Sequence, residues 1–391
     1  MKNLFQRLAV LALATFCVLG VEFASAAPGG GSANIETTPP SHPKRSSTVK
    51  STTHRTSVAR RTKRRSRVAT DPWHMTSYGN PAVEDNPAGE DPLVRQAALD
   101  ALGRLSGSIV VVDPNTGRIL SIVNQKLALS SGFTPCSTFK PIVALAALRE
   151  GLITPNTRLY VGSRTRMNVT DALAHSNNPF FLKLGEMLGF KRITEYAQEF
   201  GLGEKAGIDV PGESAGVYPS GPPKQGGVGH LAYCGTDVEI TTLQMAAVIS
   251  TIANGGTLYA LQYPRTPEEL AAFQPVVRRH LDNLAEYIPQ IRDGLAGSVL
   301  YGTGRSAYDP DLSIFGKTGT CSENGARLGW FMSYAGEQQS RYVAVVLLRG
   351  GRMMYGPHAA EVAGRFYRDL MLKEHPTQAS RADSSTLASQ Q

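Results

Sequence analysis

Runs of apolar residues at β-strand spacing occur near both ends of the central part of the chain. Residues 108–112 and 118–122 are rich in β-branched side chains and are separated by residues 113–117, which contain Pro, Asn and Gly. Two such runs around a turn sequence predict a β-hairpin. Three further strands are predicted at residues 313–318, 328–334 and 342–348.

Helical periodicity covers most of the remaining central region. A helix that begins after Pro135 is expected to end at Glu150, because Gly151 follows as a stop signal. A strand pair, a helical middle, three strands and a closing helix predict an α+β fold, in which helices flank an antiparallel sheet. The other helical patterns cover residues 93–105, 170–188, 193–200, 241–253 and 358–372.

The N-terminal end has the pattern of an export signal. Lys2 and Arg7 precede an apolar run that stops at Glu22, and small residues follow at a cleavage-like site. Residues 1–26 are therefore predicted to be a secretory signal peptide. An uncleaved membrane anchor is the alternative, although the apolar run is shorter than the roughly 20 residues that a spanning helix needs.

Two polar segments border the predicted domain, which covers residues 92–373. Residues 27–91 are rich in Ser, Thr, Pro, Gly and Arg, and residues 374–391 are similarly polar. Neither segment has enough apolar residues to offset the entropy cost of ordering, so we predict a disordered linker and a disordered tail.

The positive charge of the chain is concentrated in the linker. Residues 44–67 contain ten Lys or Arg and no Asp or Glu. The rest of the chain therefore has 30 of the 40 basic residues and all 32 acidic residues. The rest of the chain is nearly neutral, which argues against a nucleic-acid partner. A basic exported linker can contact a membrane surface of anionic lipids or wall polymers, and a solvated spacer is the simpler alternative.

Three cysteines remain once Cys17 leaves with the signal peptide: Cys136, Cys234 and Cys321. An exported protein can keep a disulfide, and an odd number leaves one cysteine unpaired. No spacing of these residues is typical of a metal site, and no cofactor is predicted.

The first candidate catalytic motif is Ser137-Thr138-Phe139-Lys140, near the start of a predicted helix. A serine there has a free backbone N–H at the positive end of the helix dipole, which favours a developing oxyanion. A lysine three residues later can take the serine proton if burial or a second positive charge, such as Lys317, lowers its pKa. An N-cap serine with a surface lysine is the alternative.

A second motif, Ser176-Asn177-Asn178, lies within or just after a helical pattern. Ser176 can relay a proton to a leaving amine, and Asn178 can hold a substrate amide. Because Ser and Asn are also common at helix ends, this motif alone has little predictive value.

The third motif, Lys317-Thr318-Gly319-Thr320, ends a predicted strand. A strand edge can pair with an extended peptide, and Gly319 allows another backbone to approach closely. The two threonine hydroxyls and the lysine charge suit a substrate carboxylate. An ordinary strand end is the alternative.

In this order the three motifs resemble those of the penicillin-binding protein transpeptidase family, over about residues 106–372. Residues 137–141, 174–181, 201–213, 239–256 and 316–331 are similar to family segments. The resemblance implies a β-lactamase/transpeptidase-like α+β fold, with a five-stranded antiparallel sheet and an all-helical lobe. It implies that peptidoglycan stem peptides are the substrates and that β-lactams mimic them.

The resemblance also implies a role for each motif residue. Backbone N–H groups of Ser137 and Thr320 would form the oxyanion hole. The implied side-chain roles are nucleophile for Ser137, base for Lys140, second motif for Ser176 and Asn178, and carboxylate recognition for Lys317, Thr318 and Thr320, with Gly319 in the substrate-binding strand.

The chain departs from the family at Cys136, where glycine is usual before the nucleophile, and Cys321 follows the third motif. Some serine carbapenemases resemble this arrangement and join the two positions by a disulfide. If the two oxyanion-hole amides converge, the cysteine Cα atoms could fall within the roughly 4.4–6.8 Å that a disulfide needs. We predict a Cys136–Cys321 disulfide with Cys234 free; two buried thiols are the alternative.

These features predict a penicillin-binding peptidoglycan D,D-transpeptidase, exported to the periplasm or the outer face of the cytoplasmic membrane. The chain carries no glycosyltransferase domain, so glycan polymerisation is not expected. A D,D-carboxypeptidase and a serine β-lactamase are alternatives, although no Glu-x-x-Leu-Asn-like segment supplies a deacylating base. A carbamylated Lys140 is a further route to β-lactamase activity. The non-enzymatic hypotheses are a penicillin-binding sensor and a scaffold.

Overall fold

A computed structural model describes residues 80–130, 132–208, 210–336 and 340–374. The predicted signal peptide, most of the predicted linker and nearly all of the predicted tail lie outside the described residues. Within the described ranges, no helix combines the length and apolar character that crossing a membrane requires.

Nine strands and eleven helices make up the described part of the chain. The strands are β1 (Gly107–Val112), β2 (Ile119–Val123), β3 (Leu159–Tyr160), β4 (Arg166–Met167), β5 (Thr257–Ala260), β6 (Val276–His280), β7 (Ile314–Glu323), β8 (Ala326–Ala335) and β9 (Tyr342–Gly350). The helices are α1 (Pro92–Leu102), α2 (Gln125–Ser130), α3 (Lys140–Arg149), α4 (Val169–Ala174), α5 (Asn178–Glu199), α6 (Gly227–Cys234), α7 (Thr242–Ala253), α8 (Pro267–Ala271), α9 (Asp282–Ala285), α10 (Ile288–Leu300) and α11 (Gly356–Glu374), with 3₁₀ turns at Cys136–Phe139 and Arg305–Ala307.

The main sheet has five strands in the order β2-β1-β9-β8-β7, and every neighbouring pair is antiparallel. The predicted hairpin is formed by β1 and β2, and the three strands predicted in the final third are β7, β8 and β9. The predicted α+β class is therefore confirmed. β7, which carries the third motif, is an edge strand of this sheet.

Both faces of the sheet are buried over β1, β2 and β9, which explains why these strands are largely apolar, whereas the second half of β7 is polar and partly exposed. On one face, Val110 and Val345 pack with the helical lobe that contains α3, α5 and α7. On the other face, Val111 and Val346 pack with α1 and α11. The period-two alternation of a strand assigns successive residues to the two cores.

One predicted helix is interrupted where the second motif lies. The helical pattern at residues 170–188 is broken between α4 and α5, because His175, Ser176 and Asn177 are not helical. Asn177 caps α5 by accepting a hydrogen bond from the Phe180 amide at 2.9 Å, and proline follows in the first turn. An N-cap and an early proline are start signals, so the periodic pattern contained a second helix start.

Residues 80–91, which the composition placed in the disordered linker, are packed against the domain. Glu90 accepts hydrogen bonds from Ser121 Oγ at 2.7 Å and from the Ile122 amide at 3.1 Å. Arg95 forms a 2.8 Å ion pair with Asp85. These buried polar contacts order a segment that lacks apolar periodicity, so the composition gave the wrong domain boundary.

Candidate active site

Ser137 lies in the 3₁₀ turn that leads into α3, and its side chain is half-buried. The turn is tightened by the Thr138 hydroxyl, which donates to the Pro135 carbonyl at 2.6 Å. Cys136, directly before the serine, has a φ of 54°. This left-handed conformation favours glycine and is unusual for a residue with a Cβ.

The 3₁₀ turn that contains Ser137 is held against the sheet by Thr134, two residues before the turn begins. The Trp330 indole N–H donates to the Thr134 carbonyl at 3.0 Å, and the Thr134 hydroxyl donates to Glu323 at 2.8 Å. On β7, a Cβ added at Gly319 would lie 2.9 Å from the Pro135 carbonyl oxygen. The glycine of the third motif therefore permits β7 to approach the turn closely.

Lys140 is the first residue of α3, a helix that is buried from Lys140 to Leu148. Its Nζ lies 2.7 Å from the Ser176 carbonyl oxygen, 3.1 Å from Ser176 Oγ and 2.6 Å from Asn178 Oδ1. This burial lowers the pKa of the Lys140 ammonium to about 7, because the charged form loses its hydration. The first and second motifs thus meet at one buried lysine whose pKa lies near neutral pH.

The position of Ser176 follows from the way α4 ends. The Ser176 amide donates to the Leu173 carbonyl at 3.2 Å, and the Asn177 amide donates to the Ala172 carbonyl at 2.9 Å. These two bonds form a Schellman motif, which requires a left-handed residue after the helix. Ser176 takes that place with a φ of 54°, where glycine is the usual residue. Such conformations often occur at functional sites.

Successive side chains along β7 point to opposite faces of the sheet, so Lys317 lies on one face and Thr318 and Thr320 lie on the other. Lys317 is fully buried, and its Nζ donates to the Thr318 carbonyl at 3.1 Å. Burial, together with the nearby charge of Lys140, lowers the pKa of Lys317 well below its usual range. The sequence suggested that the Lys317 charge would help to lower the Lys140 pKa. In the folded protein, burial rather than the Lys317 charge lowers the pKa of Lys140, and the charge effect runs the other way, from Lys140 to Lys317.

A disulfide joins Cys136 to Cys321, with a Cα–Cα distance of 5.7 Å. The predicted pairing is therefore present, and it connects the residue before Ser137 to the residue after Thr320. Among the described cysteines, Cys234 is unpaired, as expected. Burial raises the pKa of the Cys234 thiol.

The hydroxyls of the third motif have partners that the motif patterns did not identify. Thr318 Oγ1 lies 2.6 Å from the hydroxyl of Thr303, and Thr320 Oγ1 accepts a 2.8 Å hydrogen bond from the Gly356 amide. Thr303 belongs to no periodic element. The available sequence signal was its place between two glycines directly after a helix, which is too common to be diagnostic.

The three motifs therefore converge, although long stretches of chain separate them. Lys140 contacts the second motif, and the disulfide joins the turn that contains Ser137 to the residue that follows the third motif. In the described part of the chain, no three His, Cys, Asp or Glu side chains are grouped as metal ligands would be.

Residues 107–371 match the family described as the penicillin-binding protein transpeptidase domain. Stage V sporulation protein D of Bacillus subtilis is 30% identical over 288 residues, which cover 64% of this chain and 44% of that protein. Peptidoglycan D,D-transpeptidase MrdA of Acinetobacter baumannii is 23% identical over 342 residues, which cover 68% of this chain and 51% of that protein. The chain thus spans about half the length of these curated relatives.

A solved structure shares the fold. The transpeptidase (TP) domain of Burkholderia pseudomallei penicillin-binding protein 3 superposes with a TM-score of 0.64 at 20% identity, over 74% of this chain and 97% of that one. The family match extends from β1 into α11 and includes all three motifs. This chain therefore belongs to the penicillin-binding protein transpeptidase family.

Proposed function

We propose that this chain is a serine D,D-transpeptidase that cross-links peptidoglycan stem peptides and is acylated by β-lactams at Ser137. The observation that carries the proposal is the environment of Lys140. This buried lysine has a pKa of about 7 and lies three residues after Ser137, while its Nζ contacts both Ser176 and Asn178. A lysine in this state can accept a serine proton at neutral pH.

In the proposed acylation step, neutral Lys140 takes the Ser137 proton as Oγ attacks the carbonyl carbon of the penultimate D-alanine. The carbonyl π electrons move to oxygen, where the N–H groups of Ser137 and Thr320 stabilise the oxyanion. When the tetrahedral intermediate collapses, the C–N bond breaks. The proton held by Lys140 passes through the Ser176 hydroxyl to the departing amine of D-alanine, and an ester on Ser137 remains.

In the second step, an amine of another stem peptide attacks the ester carbonyl. Lys140 removes a proton from that amine and returns it to Ser137 as the C–O bond breaks. The products are a new peptide bond and the free serine. Water in place of the amine would give carboxypeptidase activity at the same site, and the transpeptidase name of a relative favours transfer.

Substrate recognition is assigned to the edge strand and the second motif. Lys317, Thr318 and Thr320 would bind the terminal carboxylate, while Asn178 would hold a substrate amide. Gly319 keeps β7 close to the nucleophile turn. The main chain of β7 can pair with an extended peptide because it is at the sheet edge.

The proposed reaction takes place outside the cytoplasm, in the periplasm or on the outer face of the cytoplasmic membrane. The export-like N-terminus and a peptidoglycan substrate both support this location. The basic segment at residues 44–67 would contact anionic lipids or wall polymers.

A fluorescent penicillin incubated with the mature full chain tests the proposal. We expect a covalent adduct that persists for hours, is absent from Ser137→Ala and is retained in Ser322→Ala, which removes an exposed serine from the same site region. The absence of any adduct on the wild type would overturn the assignment. Rapid release of hydrolysed penicillin would instead identify a β-lactamase.

A further inference from the structure

The loop at residues 301–304, which we call the bridging loop, contacts both the third motif and the helix end that precedes the second motif. Its Thr303 amide donates to the Ala174 carbonyl at 3.1 Å, two residues before Ser176. Its Thr303 hydroxyl lies 2.6 Å from Thr318 Oγ1. Thr303 therefore connects the helix end of the second motif to the strand of the third.

The backbone of the bridging loop fixes the position of the Thr303 hydroxyl. A Cβ added at Gly302 would lie 2.1 Å from the Ala174 carbonyl oxygen, so only glycine allows this close approach. The following glycine is also packed: a Cβ at Gly304 would lie 3.0 Å from the Phe331 ring. Thr303 is thus held between two tightly packed glycines and is not a freely moving surface threonine.

The hydrogen bonds leave the hydroxyls of the third motif as donors. A threonine hydroxyl has one proton and two acceptor lone pairs. Thr320 Oγ1 accepts from the Gly356 amide, which can only donate, so the Thr320 proton stays available. In the pair formed by Thr303 and Thr318, one hydroxyl donates to the other, and one proton stays available. An anion beside Thr318 favours the arrangement in which Thr303 donates and Thr318 turns its own proton to the anion.

We infer that Thr303 is a positioning residue for carboxylate recognition, acting through the hydroxyl of Thr318. This inference rests on the proposed function and adds to it a residue outside the three motifs. It makes Thr303 a determinant of the preference for substrates with a free terminal carboxylate. A ligand without that negative charge gains less from the orientation of the Thr318 proton, because a neutral ester oxygen is a weaker acceptor than a carboxylate.

The test compares two ligands on one set of variants of the full chain. Thr303→Val keeps the branched shape and removes the hydroxyl, while Thr303→Ser keeps the hydroxyl. Benzylpenicillin carries the carboxylate, and its methyl ester does not. We expect Thr303→Val to slow acylation by benzylpenicillin about tenfold and acylation by the ester less than about twofold, because a hydrogen bond that serves a charged group is roughly twice as strong as one between neutral groups. Thr303→Ser should restore most of the rate.

A matched control is available at Thr157, whose hydroxyl forms a similar pair with Thr154 at 3.0 Å on the surface. Thr157→Val should leave both rates unchanged. In a Thr318→Val background, Thr303→Val should cause no further loss of selectivity, since its partner is already absent. Rates are expressed per mole of protein that can be acylated, so a Thr303→Val sample that is only partly folded still reports the ratio between the two ligands.

The outcomes separate the inference from the proposed function. If the wild type is not acylated by benzylpenicillin, the proposed function fails. If the wild type is acylated but Thr303→Val slows both ligands equally, Thr303 has only a structural role and the inference is overturned. An unchanged rate with benzylpenicillin would overturn it as well.

Discussion

Breaking the Cys136–Cys321 disulfide should both destabilise the domain and slow acylation. The bond joins the residues next to Ser137 and Thr320, whose amides are the proposed oxyanion hole. Two variants remove it in different ways. Cys321→Ala leaves Cys136 as a residue with a Cβ at a φ of 54°, whereas Cys136→Gly places there the residue that this conformation favours.

The expected size of the stability loss follows from the sequence separation of 185 residues between the two cysteines. The chain-entropy relation gives an upper figure of about 5 kcal/mol for a closed loop of that length, and native disulfides typically contribute about 2–5 kcal/mol. For a domain of this size, such a loss corresponds to a fall in Tm of roughly 5–15 °C. Cys136→Gly should lose about 1 kcal/mol less than Cys321→Ala, because the left-handed backbone is relieved.

Acylation should slow by about tenfold or more, since small displacements of reacting groups can cost up to about a hundredfold in rate. The assays are thermal unfolding and stopped-flow acylation with a fluorescent penicillin. Both are run with and without reductant in a Cys234→Ala background, which prevents thiol exchange with the free cysteine. Mass spectrometry verifies that the bond has been broken.

The reasoning would be refuted if reduction left both the Tm and the acylation rate unchanged. A loss of stability with unchanged acylation would limit the disulfide to a structural role. If Cys136→Gly were less stable than Cys321→Ala, the argument from the left-handed backbone would be wrong.

Three further predictions concern the two lysines and the start of α11. Because burial lowers the pKa of Lys140 to about 7, the acylation rate should rise about tenfold from pH 6 to pH 8 as the amine becomes neutral. Stopped-flow measurements test this, and a rate that does not change with pH would contradict the role of Lys140 as base. Between pH 7 and about 8.5 the unfolded chain binds more protons at Lys140 and Lys317 than the folded chain does. The free energy of unfolding by denaturant should therefore rise with pH in that window by about 1 kcal/mol per unit or more, and a fall would contradict the lowered pKa values of the two lysines. At higher pH the buried tyrosines, whose pKa values burial raises, oppose this trend because they ionise first in the unfolded chain. Gly356→Ala should weaken acylation, since its Cβ would lie 2.9 Å from the Gly319 oxygen and 3.0 Å from Thr320 Oγ1. Gly364→Ala is the control, because it crowds the same helix against Ala307. It should reduce the free energy of unfolding by a comparable amount, about 1–3 kcal/mol, but slow acylation less. Equal effects of the two variants on acylation would argue against a specific role for Gly356.

Strand periodicity predicted the strands of the main sheet well where they are apolar runs with clear turn signals, as in the hairpin of β1 and β2 and in β8 and β9. The strand predicted at residues 313–318 was too short, because β7 continues to Glu323 through a polar half that carries no such pattern. The pattern was less informative for α6, which begins among glycines, and for the two-stranded sheet of β5 and β6, whose β6 is largely exposed. Short or polar elements depend on tertiary contacts, which a local pattern does not contain.

The sequence by itself determined the chemistry of the candidate site: a serine with a lysine three residues later, followed in order by two further motifs. It also indicated the cysteine pair, since both cysteines adjoin motif residues. It did not determine the protonation state of Lys140 or the partner of Thr318. Those depend on the burial of α3 and on Thr303, which lies 15 residues before Thr318 in a loop without periodicity. Desolvation and hydrogen bonding arise from groups that are distant in sequence, so only the tertiary structure decides whether a lysine is neutral and in which direction a hydroxyl donates.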